Sequence, residues 1–262
     1  MFLDEIVAQT RHLVAERKGQ KPLTELEREV SRCQEVRDFA AALQKPGLAL
    51  IAEIKRASPS KGWLNPDLDA AALAQLYAQG GAAAVSVLTE PAFFRGSLDD
   101  LAGAREAVEL PVLRKDFILD PYQVYEARGC AADAVLLIAA ILSPSELTAL
   151  IELTHSLGMS ALVEVHHHEE VERALACGAR IIGINNRNLA DFSVDLETTP
   201  KLRPLIPPDI PVVSESGIHS QADVLLLRRA GVNAILVGEM LVTSADPAAK
   251  IRELLAEVAS PR

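Results

Sequence analysis

Cysteine is scarce in this chain of 262 residues: there are three, Cys33, Cys130 and Cys177, with no CxxC pair. Cysteines so widely spaced suggest no disulfide framework and point to a reducing compartment. Long apolar runs are also missing. No stretch approaches the roughly 18 uninterrupted apolar residues a membrane span needs. Met1 to Arg17 carries Asp4, Glu5 and Arg11 where a signal peptide would need an apolar core. Together these absences predict a soluble, cytoplasmic protein. Positive charge is outnumbered, 26 Lys+Arg against 36 Asp+Glu, for a net charge of −10. That argues against nucleic acid or an anionic membrane as a general partner, while leaving room for a small anionic ligand held by a few local lysines. No GxGxxG follows the first apolar strand, which weakens a dinucleotide-binding open sheet, the runner-up architecture.

The chain instead carries a repeating rhythm. Up to residue 45, apolar residues recur at helical spacing in two blocks, Leu3–Val14 and Leu23–Leu43, separated by Lys18-Gly19-Gln20-Lys21-Pro22. Two amphipathic helices are predicted there, with Cys33 on the apolar stripe. From residue 48, short β-branched apolar runs alternate with helical patterns. Strands are predicted at 48–55, 83–88, 112–115, 134–139, 160–165, 180–185, 210–214 and 234–237. Helices are predicted between them, one capped by Ser143-Pro144 and others stopped by Gly80-Gly81 and Gly231. The last is expected near Pro247–Val258. Strands apolar throughout are those of a parallel sheet buried on both faces. Eight βα units in this length predict an α/β fold, a (β/α)8 TIM barrel with an N-terminal two-helix extension. Residues 1–262 then form a single domain, with 1–45 as its helical extension.

In such a barrel the site lies at the C-terminal ends of the strands. Strand one ends in Glu53 and Lys55, two apart and so on one face, followed by a loop holding Ser58, Pro59 and Gly62. A Glu–Lys pair there is either a structural ion pair or an acid–base pair at a site mouth. Strand three adds Lys115, with Phe117 as an apolar neighbour, and strand five adds Glu164. Two lysines and two glutamates converging from three strands suit proton transfer, because mutual proximity and burial move their pKa values. Strand six adds Asn185, Asn186 and Arg187. After strands seven and eight, Ser214-Glu215-Ser216-Gly217 and Gly238-Glu239 supply small residues that let backbone N–H groups approach a phosphate. His166-His167-His168 resembles a metal cluster, but adjacent strand-end residues point different ways, so no metal is expected. Trp63 and Phe93-Phe94 could cover the barrel top or face an aromatic substrate.

Six motifs, in order, resemble the indole-3-glycerol-phosphate synthase family: Glu53–Gly62 (EIKRASPSKG), Leu113–Phe117 (LRKDF), Leu162–His166 (LVEVH), Ile184–Leu189 (INNRNL), Ser214–Ile218 (SESGI) and Val237–Glu239 (VGE). The resemblance spans essentially the whole chain. It implies a cofactor-free carboxy-lyase of tryptophan biosynthesis. The substrate would be 1-(2-carboxyphenylamino)-1-deoxyribulose 5-phosphate, and the products indole-3-glycerol phosphate, CO2 and water. It further implies Lys115 as general acid for ring closure, Glu53 and Glu164 as support for developing positive charge, and Glu164 as base in the dehydration. Lys55 would hold the carboxylate or act as a second acid. Asn185 and Arg187 would orient substrate, Glu215 would tune local charge, and Phe117 would wall the aromatic ring. Ser58, Ser216, Gly217 and Gly238 would meet the phosphate and loop. Glu239 departs from the small hydroxyl of many relatives, leaving its backbone N–H as the contact. The loop 56–66 is expected to close over substrate. The rivals are another phosphate-binding barrel enzyme (an isomerase or a Schiff-base aldolase), a catalytically dead scaffold, or a bifunctional arrangement with another pathway enzyme as a separate partner.

Overall fold

Eight short apolar segments lie side by side in the computed structural model, which describes residues 2–189 and 191–256. They are β1 Ala49–Ile54, β2 Ala84–Leu88, β3 Val112–Lys115, β4 Ala134–Ile138, β5 Ser160–Val165, β6 Ile182–Asn185, β7 Val212–Glu215 and β8 Ala234–Val237. Each pairs in parallel with the next, and β8 pairs back onto β1, so the sheet closes into a barrel with no free edge. Nearly every strand residue is buried, because helices cover the outside and side chains fill the inside. Observed strand ends differ from the expected ones by two residues at most.

Helix punctuation follows the local chemistry. Ser143 caps Pro144–Ser156 in a reciprocal capping box with Glu146, and Ser220 does the same for Gln221–Arg229 with Asp223. Gly81 ends Ala70–Gly80 at φ 94°, a left-handed conformation that glycine adopts without strain. The last helix is Pro247–Leu255, and the expected continuation through Val258 lies outside the described residues.

The N-terminal region holds three helices rather than two: α1 Phe2–Gln20, α2 Leu23–Val30 and α3 Phe39–Leu43. The expected second helix breaks after Val30 because tertiary partners claim the backbone of the next segment. Arg128 donates to the Gln34 carbonyl at 2.5 Å, Arg105 donates to the Glu35 carbonyl, and the Arg37 N–H donates to Asp133 at 2.7 Å. Those carbonyls and that N–H would otherwise serve a continuing helix. Cys33 therefore sits in a turn, half-buried, with its thiol toward the Glu29 carbonyl. Beyond this turn, α3 buries Phe39 and Leu43 against the interior cluster of the barrel. At the other end, α1 brings Leu3 and Ile6 to the cavity at the strand C-termini. No described helix is long and apolar enough to cross a membrane.

One buried network fixes the strand end that matters most. Arg114, on β3, is fully buried and donates to Asp116, Thr89 and the Gln123 carbonyl, with Glu126 within 3.4 Å. Adjacent strand residues face opposite ways. Anchoring Arg114 on the helical side therefore turns Lys115 into the barrel mouth.

Candidate active site

Four alternate strands each deliver one charged side chain to the mouth: Glu53 from β1, Lys115 from β3, Glu164 from β5 and Glu215 from β7. Alternate strands contribute to a common layer in this kind of barrel, and here the uppermost layer is ionic. Lys115 Nζ donates to Glu164 Oε2 and to Glu215 Oε2, both at 2.8 Å. Lys55, one residue beyond β1, donates to Glu53 Oε1 at 2.6 Å. All three carboxyl groups are almost completely buried.

Burial and charge pull these groups in opposite directions. Desolvation disfavours the Lys115 ammonium, but Glu164, Glu215 and Glu53 outweigh it and raise its pKa well above the lysine range. Desolvation also opposes ionisation of Glu164, yet Lys115 and His166 hold its carboxyl far below its ordinary range. Glu215 goes the other way. Its burial, reinforced by the charge of Glu164, overcomes Lys115 and pushes it up to about 7. Two carboxylates sharing one ammonium thus separate, one firmly ionised and one titrating around neutrality.

Glycines make this layer possible. A Cβ at Gly183 would stand 2.3 Å from Glu215 Oε1, and one at Gly238 would stand 2.4 Å from Glu53 Oε1. Gly238, expected from the sequence to admit phosphate, therefore also makes room for a carboxylate.

A cavity opens above the layer. One side is apolar: Phe94 and Phe117 lie with ring centroids 6.2 Å apart, beside Leu136 and Ile138 from β4 and Leu3 and Ile6 from α1. The cavity is also lined by Ser58, Ser216, Gly217, Gly238 and Glu239, from the loops after β1, β7 and β8. Ser216 and Gly217 both have positive φ, 67° and 81°. Ser216 is a non-glycine residue in that region, an uncommon backbone state that clusters at functional sites. Glu239 opens the short helix Glu239–Val242, and its carboxylate turns to Lys61 at 3.6 Å. Asn185 and Arg187 also line the cavity, the Asn185 side chain accepting from the Arg187 N–H at 3.0 Å. Arg187 itself donates to the Phe192 carbonyl.

Other polar strand ends serve structure. Asn186 bonds Ser214, Thr199 and the Glu215 and Ser216 carbonyls, tying β6 to the β7 loop. Glu90 accepts from three backbone N–H groups of its own loop. Trp63 is 57% exposed, in a two-stranded ribbon (Ala57–Ser58 with Gly62–Trp63), with the Arg95 guanidinium 5.8 Å from its ring centroid. The three histidines diverge: His166 is buried between Glu164 and Glu170, His167 precedes the helix His168–Ala176, and His168 is exposed beside Glu172.

Sequence reasoning passed over Leu3, Ile6, Leu136, Ile138 and Phe192 as cavity residues. Leu3 and Ile6 register in the sequence only as helix periodicity, and the β4 residues as an apolar strand; neither pattern says which cavity it faces.

A family model described as indole-3-glycerol phosphate synthase matches residues 3–254. An indole-3-glycerol phosphate synthase of Dehalococcoides mccartyi (strain ATCC BAA-2266 / KCTC 15142 / 195) is 52% identical over 259 residues, covering 97% of this chain and 100% of the relative. One from Mycobacterium sp. (strain KMS) is 49% identical over 253 residues, covering 97% and 93%. Among solved structures, 3-hexulose-6-phosphate synthase from Salmonella typhimurium superposes with a TM-score of 0.65 at 14% identity, covering 80% of this chain and 98% of that one. Thiamine phosphate pyrophosphorylase from Pyrococcus furiosus gives 0.62 at 21%, covering 81% and 98%. These two likenesses concern the barrel fold. The sequence matches run nearly end to end, through all six motifs, and by them the chain belongs to the indole-3-glycerol phosphate synthase family.

Proposed function

We propose a division of labour by which this chain converts 1-(2-carboxyphenylamino)-1-deoxyribulose 5-phosphate to indole-3-glycerol phosphate, CO2 and water. The supporting observation is Lys115 held between Glu164 and Glu215 in a cavity lined both by apolar rings and by small residues of the β7 and β8 loops. The aromatic ring lies against Phe117 and Phe94. The phosphate lies at Ser58, Ser216 and the backbone of Gly217, Gly238 and Glu239. Asn185 and Arg187 orient the chain between them.

As the ring carbon attacks the ketone, a C–C bond forms and the carbonyl π electrons move to oxygen. Lys115 protonates that oxygen, and Glu53 and Glu164 stabilise the positive charge left on the ring system. The C–CO2 bond then breaks, its electron pair returning to the ring. Lys55, next to Glu53, receives the substrate carboxylate or serves as a second acid. In the dehydration a proton leaves carbon for Glu164, and the hydroxyl departs as water after protonation by an acid.

The electrostatics order these steps. While Lys115 is charged, Glu164 is a weak base. Once Lys115 has given up its proton, the larger of the two charges that depress Glu164 is gone while His166 remains, and the basicity of Glu164 rises for the second half of the reaction. Glu215, titrating near 7, carries only part of a negative charge near neutrality and so holds the proton on Lys115 less firmly than a fully ionised carboxylate would. It also limits negative charge in a site that must admit a carboxylate and a phosphate.

The chain works on this reading as one barrel domain with residues 1–45 as its extension, in the cytoplasm, alongside other tryptophan-pathway enzymes as possible partners. Purified protein mixed with substrate should develop indole fluorescence. Lys115→Ala should lower kcat by about 10²- to 10⁴-fold, the range of a general acid. Equal rates with both proteins would move that role away from Lys115, and no signal from the unmutated protein would overturn the reading. Borohydride trapping with substrate should leave no adduct on Lys55 or Lys115.

A further inference from the structure

His166 takes no part in the steps above, yet its surroundings are unusual. It follows β5 directly, is buried, and places each ring nitrogen toward a different carboxylate. Glu170, in the first turn of the helix His168–Ala176, uses one oxygen for two contacts. Its Oε2 accepts the His166 backbone N–H at 2.6 Å and lies 3.2 Å from Nδ1. Across the ring, Nε2 approaches Glu164 Oε1 at 3.4 Å. That is long for a hydrogen bond, so the contact is an ion pair. A neutral imidazole has one donor and one acceptor nitrogen. With a carboxylate facing each, a neutral ring would set a lone pair against an anion, whereas an imidazolium turns an N–H toward both, hydrogen-bonded at Nδ1 and paired by charge at Nε2. The charges agree: burial opposes the cation, but Glu164 and Glu170 overcome it and raise His166 to about 9. The other titratable groups around the pair are Lys115 and Glu215 beside Glu164, and His167 beside Glu170.

The two oxygens of Glu164 are thus divided, Oε2 to Lys115 and Oε1 to His166. We propose that His166 is a positioning residue for the reaction: an imidazolium clamped by Glu170, it anchors Glu164 Oε1 so that Oε2 keeps its place when Lys115 releases its proton. This rests on reading Glu164 as the base. Without the clamp, a carboxylate losing its lysine partner would be free to turn, and its ordinary proton affinity would let it compete for the proton meant for substrate.

Three measurements test the proposal. Nitrogen NMR of the imidazole in the full chain reads the charge of His166 without turnover, so it stands apart from the reaction assignment. The ring should be doubly protonated near neutrality and titrate near 9, and in Glu170→Gln the titration should fall toward the ordinary histidine range of about 6.5. In steady state, His166→Gln should lower kcat about 10-fold with KM within about two-fold, and shift the acidic limb of kcat upward as Glu164 loses a cation. Glu170→Gln should match the unmutated enzyme at about pH 6, where its His166 is charged, and match His166→Gln at about pH 8, where it is not. A neutral His166 near pH 7, an unmoved acidic limb in His166→Gln, or a Glu170→Gln rate ratio that does not vary with pH would each overturn it. Should His166→Gln fail to fold, the titration and the Glu170→Gln profile decide alone.

Discussion

Gly183 and Glu215 fit together because one lacks a side chain: a Cβ on Gly183 would lie 2.3 Å from Glu215 Oε1, too close for any real carbon. Gly183 sits inside β6, between Glu164 on one neighbour and Val213 on the other. A strand interior is an unfavourable place for glycine, so its presence there is explained by the carboxylate it admits.

Gly183→Ala should therefore fold and fail at chemistry. Overpacking costs about 1–3 kcal/mol, visible as a lower denaturation midpoint. The displaced Glu215 withdraws from Lys115, and kcat should fall about 10-fold or more, since transition-state geometry tolerates little misplacement. Unaltered kcat with lowered stability would show that Glu215 moves without consequence.

The raised pKa of Glu215 makes stability pH-dependent with a definite sign. A carboxyl with pKa about 7 when folded and about 4.3 when unfolded favours the folded state only while protonated. Its contribution is present below the unfolded value and lost as pH rises through the folded one. Glu215→Gln removes this loss. Relative to the unmutated chain, the variant should gain stability between about pH 5 and pH 8, on the order of 2 kcal/mol. Parallel urea titrations at the two pH values would settle it, and a difference that does not change with pH would refute the assignment.

Glu239 places a negative charge among the residues read as the phosphate site, offset by Lys61 at 3.6 Å. An exposed pair of this kind contributes about 0–1 kcal/mol. Glu239→Gln should leave thermal stability unchanged and lower KM by about two- to five-fold at low salt, an advantage that shrinks as salt screens the charge. A KM gain that persists at high salt would point to another cause. Lys61 lies in the loop expected to close, so a substrate analogue should protect the 56–66 segment from protease.

Leu3 reaches the cavity from α1, more than 100 positions before most of its neighbours there. Leu3→Asp should raise KM about 10-fold with the barrel intact, by setting a charge against the apolar wall. Circular dichroism and steady-state kinetics on the same preparation distinguish a lost substrate wall from a lost fold.

Much of this was legible in sequence because it is local. Apolar runs of four to six residues followed by charged or small ones mark strands and their ends, and the β8 range agrees with expectation. Ser143, Gly81 and Gly231 act through neighbours a few residues away, so their roles as cap and stops could be read directly. Lys55 meets Glu53 two positions back, on the face that strand geometry dictates. The tertiary structure decided what depends on partners distant in sequence. Glu215 joins Lys115 from 100 residues away, while the sequence sets it in the loop motif after strand seven with a role in tuning local charge and no named partner. The helix expected through residue 43 breaks after Val30 because Arg128, Arg105 and Asp133 claim its backbone. Gly183 and Gly238 are explained by carboxylates on other strands, and His166 acquires its charge from two elements at once. Periodicity records which face of an element a residue occupies. Which faces then meet, and so which charges share a proton, is set only when the barrel closes and brings alternate strands into one layer.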